Sequence, residues 1–251
     1  MISAAATTAE TPRSHVTNPA TLECLSDIGL DVEVLKVGTN QEVFQHSRWA
    51  HSMIGEEYAR IHCYGNVPER TVSYGLLEQQ SFPLKFSAQA DYVAASPHKY
   101  TDCPQNILEP ILIRYATQHG FPCRFSTELL SFERKHGESV LCTVKDNLIN
   151  QEYQIRAKYM FACDGARSRV VEQLRIPLVR KRASGGTTTR SVLIRADLSN
   201  ACTFRQANLH WMLQPDEENP PWAFLTCFRM VKPWTEYVHS MRREIWLILC
   251  L

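Results

Sequence analysis

Residues 128–163 constrain the fold of this 251-residue chain more than any other stretch. Four strand-like runs, ELLSFERK, SVLCTVKD, YQIRA and KYMFAC, follow one another, and KHGES and DNLIN supply turns. Connections this short join antiparallel neighbours, because a parallel pair needs a long crossover. The last run leaves its strand through Asp164-Gly165 and sets Arg167, Ser168 and Arg169 directly after it. SRVVEQLRI then reads as a short helix. A hydrophobic strand that exits through Asp-Gly into polar and basic residues is the pattern of a plain surface turn. It is also the pattern of a loop that holds a phosphate-bearing cofactor.

The flanking segments place this core in a larger plan. Asn18 is a good N-cap with Pro19 at the first helical position, Leu22, Leu25 and Ile28 lie near one face, and Gly29 ends the helix. Residues 31–90 carry short β-like runs, VEVLKVG, ARIHCYG and FPLKFSA, between turn residues. The clearest helical period lies in DCPQNILEPILIRYATQHG, where Ile107, Leu108, Ile111, Leu112, Tyr115 and Ala116 repeat and Gly120 closes the pattern. Pro110 is tolerated only near a helix start, so the first turn belongs at Gln105 or Asn106. Beyond the basic loop RKRASGGTTTR, strand-like runs return in SVLIRADL, ANLHWMLQ and WAFLTCFRM, with PDEENPPW as a polar turn. The chain is mixed α and β, with two subdomains expected from non-contiguous pieces.

Composition narrows the class of function. A net charge of +1 supplies no field for nucleic acid or an anionic membrane. Nine scattered cysteines without a C-x-x-C pair argue against a zinc site and against a disulfide framework, and they read mostly as core fillers. With no N-x-S/T acceptor, this points to a reducing, cytoplasmic setting. MISAAATTAE has neither the basic start nor the apolar core of a secretory signal. The closing run IWLILCL is far shorter than the ~20 residues of a membrane span. It reads as an atypical, exposed apolar tail over 241–251.

ACDGARSRVVEQLRIPL resembles the Asp-Gly motif of flavoprotein aromatic hydroxylases of the p-hydroxybenzoate hydroxylase type. PRSHVTNPATLECLSDIGL, PQNILEPILIRYATQHG, NLHWMLQP and FRMVKPWTEYV resemble, in the same order, segments of the phenol and chlorophenol monooxygenase branch. The resemblance runs from about Pro12 to Tyr237. It implies an FAD/NAD(P)-binding fold, here incomplete, with an interleaved β-rich substrate domain. Residues 12–40 and 96–176 would make the FAD-binding part, and 41–95 with 177–240 the middle, substrate part. It implies reduction of FAD by NADPH or NADH and insertion of oxygen from O2 into a phenolic or polyketide-like aromatic, the cofactor carrying the redox chemistry. A small aromatic substrate is the partner implied, with no nucleic acid and no membrane, and a homo-oligomer is compatible with it. Three positions carry over: Arg13 against the FAD, Gln105 at a helix start, and Asp164-Gly165, which serve both FAD and the nicotinamide nucleotide.

The chain departs from that pattern in three places. It contains no G-x-G-x-x-G turn to cradle a pyrophosphate, and Glu10 is a poor counterpart for the ribose-binding acid. It contains no later Gly-Asp motif. Val171 stands where the family usually has arginine, with Arg167 and Arg169 nearby to compensate. A chain truncated at both ends is therefore expected, and a catalytically inactive fragment that binds no FAD by itself is the alternative. A hydrolase or transferase on another α/β fold lacks any supporting motif. His15 reads as an unpartnered loop histidine, VRKR at 179–182 as a solvated loop, and Trp211, Trp222 and Trp234 as core or as a substrate pocket.

Overall fold

The structure, a computed structural model, describes residues 1–11, 14–40, 46–52, 54–62, 73–74, 95–135, 139–179, 189–196, 209–213, 225–230 and 243–250. They fall into two compact units: Thr11–Leu108 with Gly185–Leu251, and Met1–Glu10 with Glu109–Ser184.

In the first of these, α1 (Pro19–Asp27) begins where its cap dictates. The Asn18 side chain accepts from the Thr21 N–H at 2.8 Å, and Pro19 sits where no N–H is needed. Gly29, at φ 74°, reverses the chain just past the end. Leu22 and Leu25 are buried. Ile28, expected beside them, is exposed because the helix stops at Asp27 and its backbone turns away.

The strand expected over VEVLKVG is instead a helix, α2 (Asp31–Val37). Two features of the segment outweigh its valines. Asp31 and Glu33 in the first turn and Lys36 in the last complement the helix dipole. Leu30 and Val34 are buried while Val32 between them is exposed, which is helical rather than alternating spacing.

Two sheets complete this unit. The smaller contains β1 (Val16–Thr17), β2 (Thr39–Asn40) and β6 (Thr101–Asp102) in the order β1-β6-β2, both pairs antiparallel. The larger contains β3 (His46–Ala50), β4 (Glu57–His62), β5 (Ser73–Tyr74), β10 (Thr189–Ala196), β11 (Leu209–Leu213), β12 (Leu225–Met230) and β13 (Arg243–Cys250). Its order is β10-β13-β12-β11-β3-β4-β5, with β11 parallel to β3 and the other pairs antiparallel. The run expected as an exposed tail is thus an internal strand: β13 pairs with β10 from Arg243 to Cys250 and with β12 from Ile245 to Cys250. An uninterrupted apolar run suits a strand with neighbours on both edges. FPLKFSA, PDEENPPW, most of RKRASGGTTTR, Trp222 and Trp234 lie outside the described residues.

α3 (Gln105–Gln118) starts at Gln105, as Pro110 requires, and Gly120 follows at φ 80°. Of its apolar stripe only Ile111 is fully buried.

In the second unit the expected meander forms: β7 (Thr127–Lys135), β8 (Ser139–Asp146) and β9 (Gln151–Ala157), in that order and antiparallel. In DNLIN the Asp146 carboxylate accepts from the Leu148 and Ile149 N–H groups, and Asn150 takes φ 56°. Val144 and Cys142 anchor the buried face. Residues 1–5 run along 124–127, with Ser3 N–H bonded to Arg124 O at 2.8 Å and Thr127 N–H to Ser3 O at 2.8 Å. α4 (Arg169–Gln173) packs on β7 through buried Val170, and the Gln173 amide bonds both the N–H and the C=O of Phe132.

KYMFAC departs from expectation. Residues 158–163 form no strand, and Tyr159 and Phe161 are exposed. A strand exists only through its ladder, and among the described residues no neighbour pairs with this segment. Of the described cysteines, Cys103 and Cys142 are buried core residues, whereas Cys24 and Cys163 are exposed.

Candidate functional site

The Asp164 corner belongs to the second unit. One carboxylate oxygen of Asp164 accepts from Ser168 Oγ at 2.6 Å, and the other from the Val170 N–H at 3.2 Å. Ser168 Oγ in turn accepts from the Val171 N–H at 3.1 Å and caps α4. The Ser168 hydrogen bond is the main reason that the Asp164 carboxyl is held below its ordinary range, with the Val170 N–H adding to it. Asp164 is exposed and ionised at neutral pH. A carboxylate has about four lone-pair sites, and the exposure of this one leaves it open to a ligand's hydroxyls.

Gly165 takes φ 76°, a conformation other residues resist, and no described atom lies within 4 Å of where a Cβ would stand. The backbone is bare on that side. Residues 165–167 form one 3-10 turn. Beside it opens a shallow groove of about 640 Å³, lined by Gly165, Arg167, Ser168, Glu172, Arg175 and Leu178. Arg167 therefore stands with Asp164 and Gly165, as the sequence suggested. Arg169 lies 2.8 Å from Glu128.

Gln105 lies in the other unit, at the first position of α3. Its N–H donates to Ser14 O at 2.7 Å, and the Cys103 N–H donates to His15 O at 2.9 Å. Arg13, which precedes this segment, lies outside the described residues. His15 lies in a loop, as expected, but is buried there, with Nδ1 3.7 Å from Asp102 Oδ1, beyond hydrogen-bond distance. Sequence reading missed the proximity because Asp102 is 87 positions away and is brought there only by the β1–β6 register.

A third constellation went unread in the sequence. Arg48 is fully buried on β3, 2.6 Å from a Glu57 oxygen, and its neighbour across the β3–β11 pair, His210, is also fully buried, at 3.5 Å from the guanidinium. Arg60 binds both oxygens of Glu57. Burial alone would raise the Glu57 pKa; the hydrogen bonds and charges of Arg60 and Arg48 overcome it and hold the group at about 2. On the next register position Trp49 and Trp211 stack, centroids 6.5 Å apart and rings within 10° of parallel.

The Asp164 corner suits one part of FAD. Its carboxylate fits ribityl or ribose hydroxyls, and Arg167 offers a fork of donors to phosphate oxygens.

A family model described as FAD binding domain matches residues 1–247. The chain is 35% identical over 237 residues to a 2,4-dichlorophenol 6-monooxygenase of Delftia acidovorans, covering 94% of this chain and 37% of that protein. It is 35% identical over 239 residues to a phenol 2-monooxygenase of Pseudomonas sp. (strain EST1001), covering 92% of this chain and 33% of that one. Among solved structures, the flavin-dependent monooxygenase PieE in complex with FAD and substrate superposes with TM-score 0.78 at 27% identity, over 100% of this chain and 38% of that one. The fold is of the mixed α/β, FAD-binding type. The chain belongs to the FAD binding domain family and spans about a third of the length of the relatives it matches. Among the described residues no helix is long and apolar enough to cross a membrane.

Proposed function

We propose that the protein is an FAD-dependent monooxygenase that hydroxylates a phenolic or polyketide-like aromatic with NADPH or NADH and O2. The observation that carries this reading is the 35% identity to a chlorophenol monooxygenase along nearly the whole chain. The exposed Asp164 carboxylate and the bare backbone at Gly165 agree with it.

In this reading Asp164 accepts from cofactor hydroxyls, Gly165 lets the backbone approach the ligand, and Arg167 faces its phosphates. Gln105 supplies a side-chain amide at the start of α3, where a helix dipole favours anions. Arg13 is assigned to the cofactor by resemblance. FAD, when bound, supplies the redox chemistry between nicotinamide, O2 and the aromatic ring. Residues 12–40 and 96–176 are assigned to cofactor binding, and 41–95 with 177–240 to the substrate side. The assignments of a reduced nicotinamide as electron donor, of a cytoplasmic location and of a homo-oligomer rest on the same reading.

The test is flavin content. The 251-residue chain is purified, cofactor is released with acid, and flavin absorbance is compared with protein. Near-stoichiometric FAD supports the proposal. A folded sample that neither carries nor takes up FAD overturns it for this chain, and leaves the inactive-fragment alternative.

A further inference from the structure

We infer that Arg175 is a phosphate-binding residue, acting with Arg167 in the groove beside the Asp164 corner. The inference deepens the proposed function and rests on the reading of that corner as a site for a dinucleotide cofactor. Both arginines line the groove of about 640 Å³, together with Gly165, Glu172 and Leu178.

Two separate features single out Arg175. The first is its charge. Among the described residues, neither the Arg167 nor the Arg175 guanidinium enters a hydrogen bond or an ion pair, whereas Arg169 lies 2.8 Å from Glu128. Two open guanidinium groups therefore share one concave wall. The second feature is the backbone. Arg175 takes φ 52°, in the left-handed region that favours glycine. It does so where α4 closes, with its N–H on Glu172 O at 3.0 Å and the Ile176 N–H on Val171 O at 3.1 Å. Glycine commonly makes such a turn. Arginine here lowers stability relative to glycine, and backbone strain of this kind gathers where a side chain serves a ligand.

The chemistry of the wall selects the ligand. A guanidinium presents five donors in a planar fork that matches phosphate oxygens two at a time. Two such groups suit a diphosphate, or one phosphate held from two sides. At Gly165 no described atom lies within 4 Å of where a Cβ would stand, so a phosphate can approach the backbone. Glu172 opposes this, because its carboxylate repels an anion. Of the charged groups that line the groove, two are positive and one is negative. The Asp164 carboxylate next to Gly165 already accepts from Ser168 Oγ and the Val170 N–H, and it is assigned to hydroxyls rather than to phosphate.

The experiment is a calorimetric titration of FAD, NADPH, NADH and inorganic pyrophosphate into the purified 251-residue chain, with melting of the ligand-free protein recorded beside it. Arg175→Gly is expected to melt higher than the wild type and yet to bind at least one of these ligands about tenfold more weakly. Arg175→Lys keeps the charge without the fork and is expected to fall between the two in affinity. Glu172→Gln removes the opposing charge and is expected to tighten the same ligand. The ligand that weakens identifies the source of the phosphate. FAD alone points to the flavin's diphosphate, NADPH and NADH together to the nicotinamide dinucleotide's diphosphate, and NADPH alone to the extra phosphate that NADH lacks. Wild-type affinity of Arg175→Gly for every ligand overturns the inference. If Arg175→Gly does not fold, Arg175→Asn, which also tolerates left-handed backbone, is judged by the same outcomes. A wild-type chain that takes up no FAD, yet holds another of these ligands through Arg175, removes the flavin reading and leaves the phosphate site standing. A wild-type chain that binds none of them overturns both.

Discussion

Arg48 Nε and Glu57 Oε2 lie 2.6 Å apart across the β3–β4 hairpin, the arginine side chain fully buried and the carboxylate 28% exposed. Arg60 shares the same carboxylate, 2.8 Å from its other oxygen. With its folded pKa held at about 2, below the ordinary value of 4.5, Glu57 stabilises the fold fully above pH 4.5, and that contribution is lost as pH falls towards 2. Glu57→Gln is expected to lower stability at neutral pH by about 2 kcal/mol. Melts of both proteins across that window should converge at the acid end. A difference independent of pH would contradict the assignment.

Gly38 is fixed by space. A Cβ there would lie 2.5 Å from Thr101 Oγ1, so the end of α2 and strand β6 approach too closely for any side chain. Gly38→Ala should cost about 1–3 kcal/mol by overpacking. Thr101→Ala removes the clashing atom, so the double variant should be more stable than the sum of the two single losses predicts. Strict additivity in denaturant titrations would show that the contact is relieved elsewhere.

Arg175 carries a cost that glycine would not. It takes φ 52° where α4 ends, while the Ile176 N–H reaches Val171 O at 3.1 Å and the Arg175 N–H reaches Glu172 O at 3.0 Å. This closing geometry usually holds glycine. Arg175→Gly is expected to raise stability by up to about 1 kcal/mol, seen as a higher melting temperature.

Asp164 joins structure to the proposed function. Asp164→Ala removes the acceptor for Ser168 Oγ and the Val170 N–H, and it removes the carboxylate that would hold the cofactor's hydroxyls. Lower flavin content and slower reduction by NADPH or NADH are expected. Ser168→Ala, which loses the α4 cap but keeps the carboxylate, should lower stability by about 1 kcal/mol with a smaller effect on flavin. If flavin content and reduction rate in Asp164→Ala equal the wild type, the residue has no cofactor role.

The local elements were legible because their causes are local. Asn18-Pro19 starts α1, Pro110 sets the start of α3 at Gln105, and the short turns of residues 128–157 leave only antiparallel pairing. Where the sequence misled, a tertiary neighbour decided. VEVLKVG is β-branched, yet its buried positions are spaced for a helix. KYMFAC has a strand's composition, yet no described strand lies beside it.

The sequence by itself determined the family, through motifs in a fixed order, and it placed Asp164, Gly165 and Arg167 within four residues of one another. Only the tertiary structure decided that REIWLILC is an internal strand, that Arg48 shares Glu57 with Arg60 and meets His210, and that His15 is buried beside Asp102. The physical reason is the same in each case. A turn or cap is encoded by neighbours a few residues apart, whereas a strand's place and a buried charge's partner depend on register between segments distant in the chain.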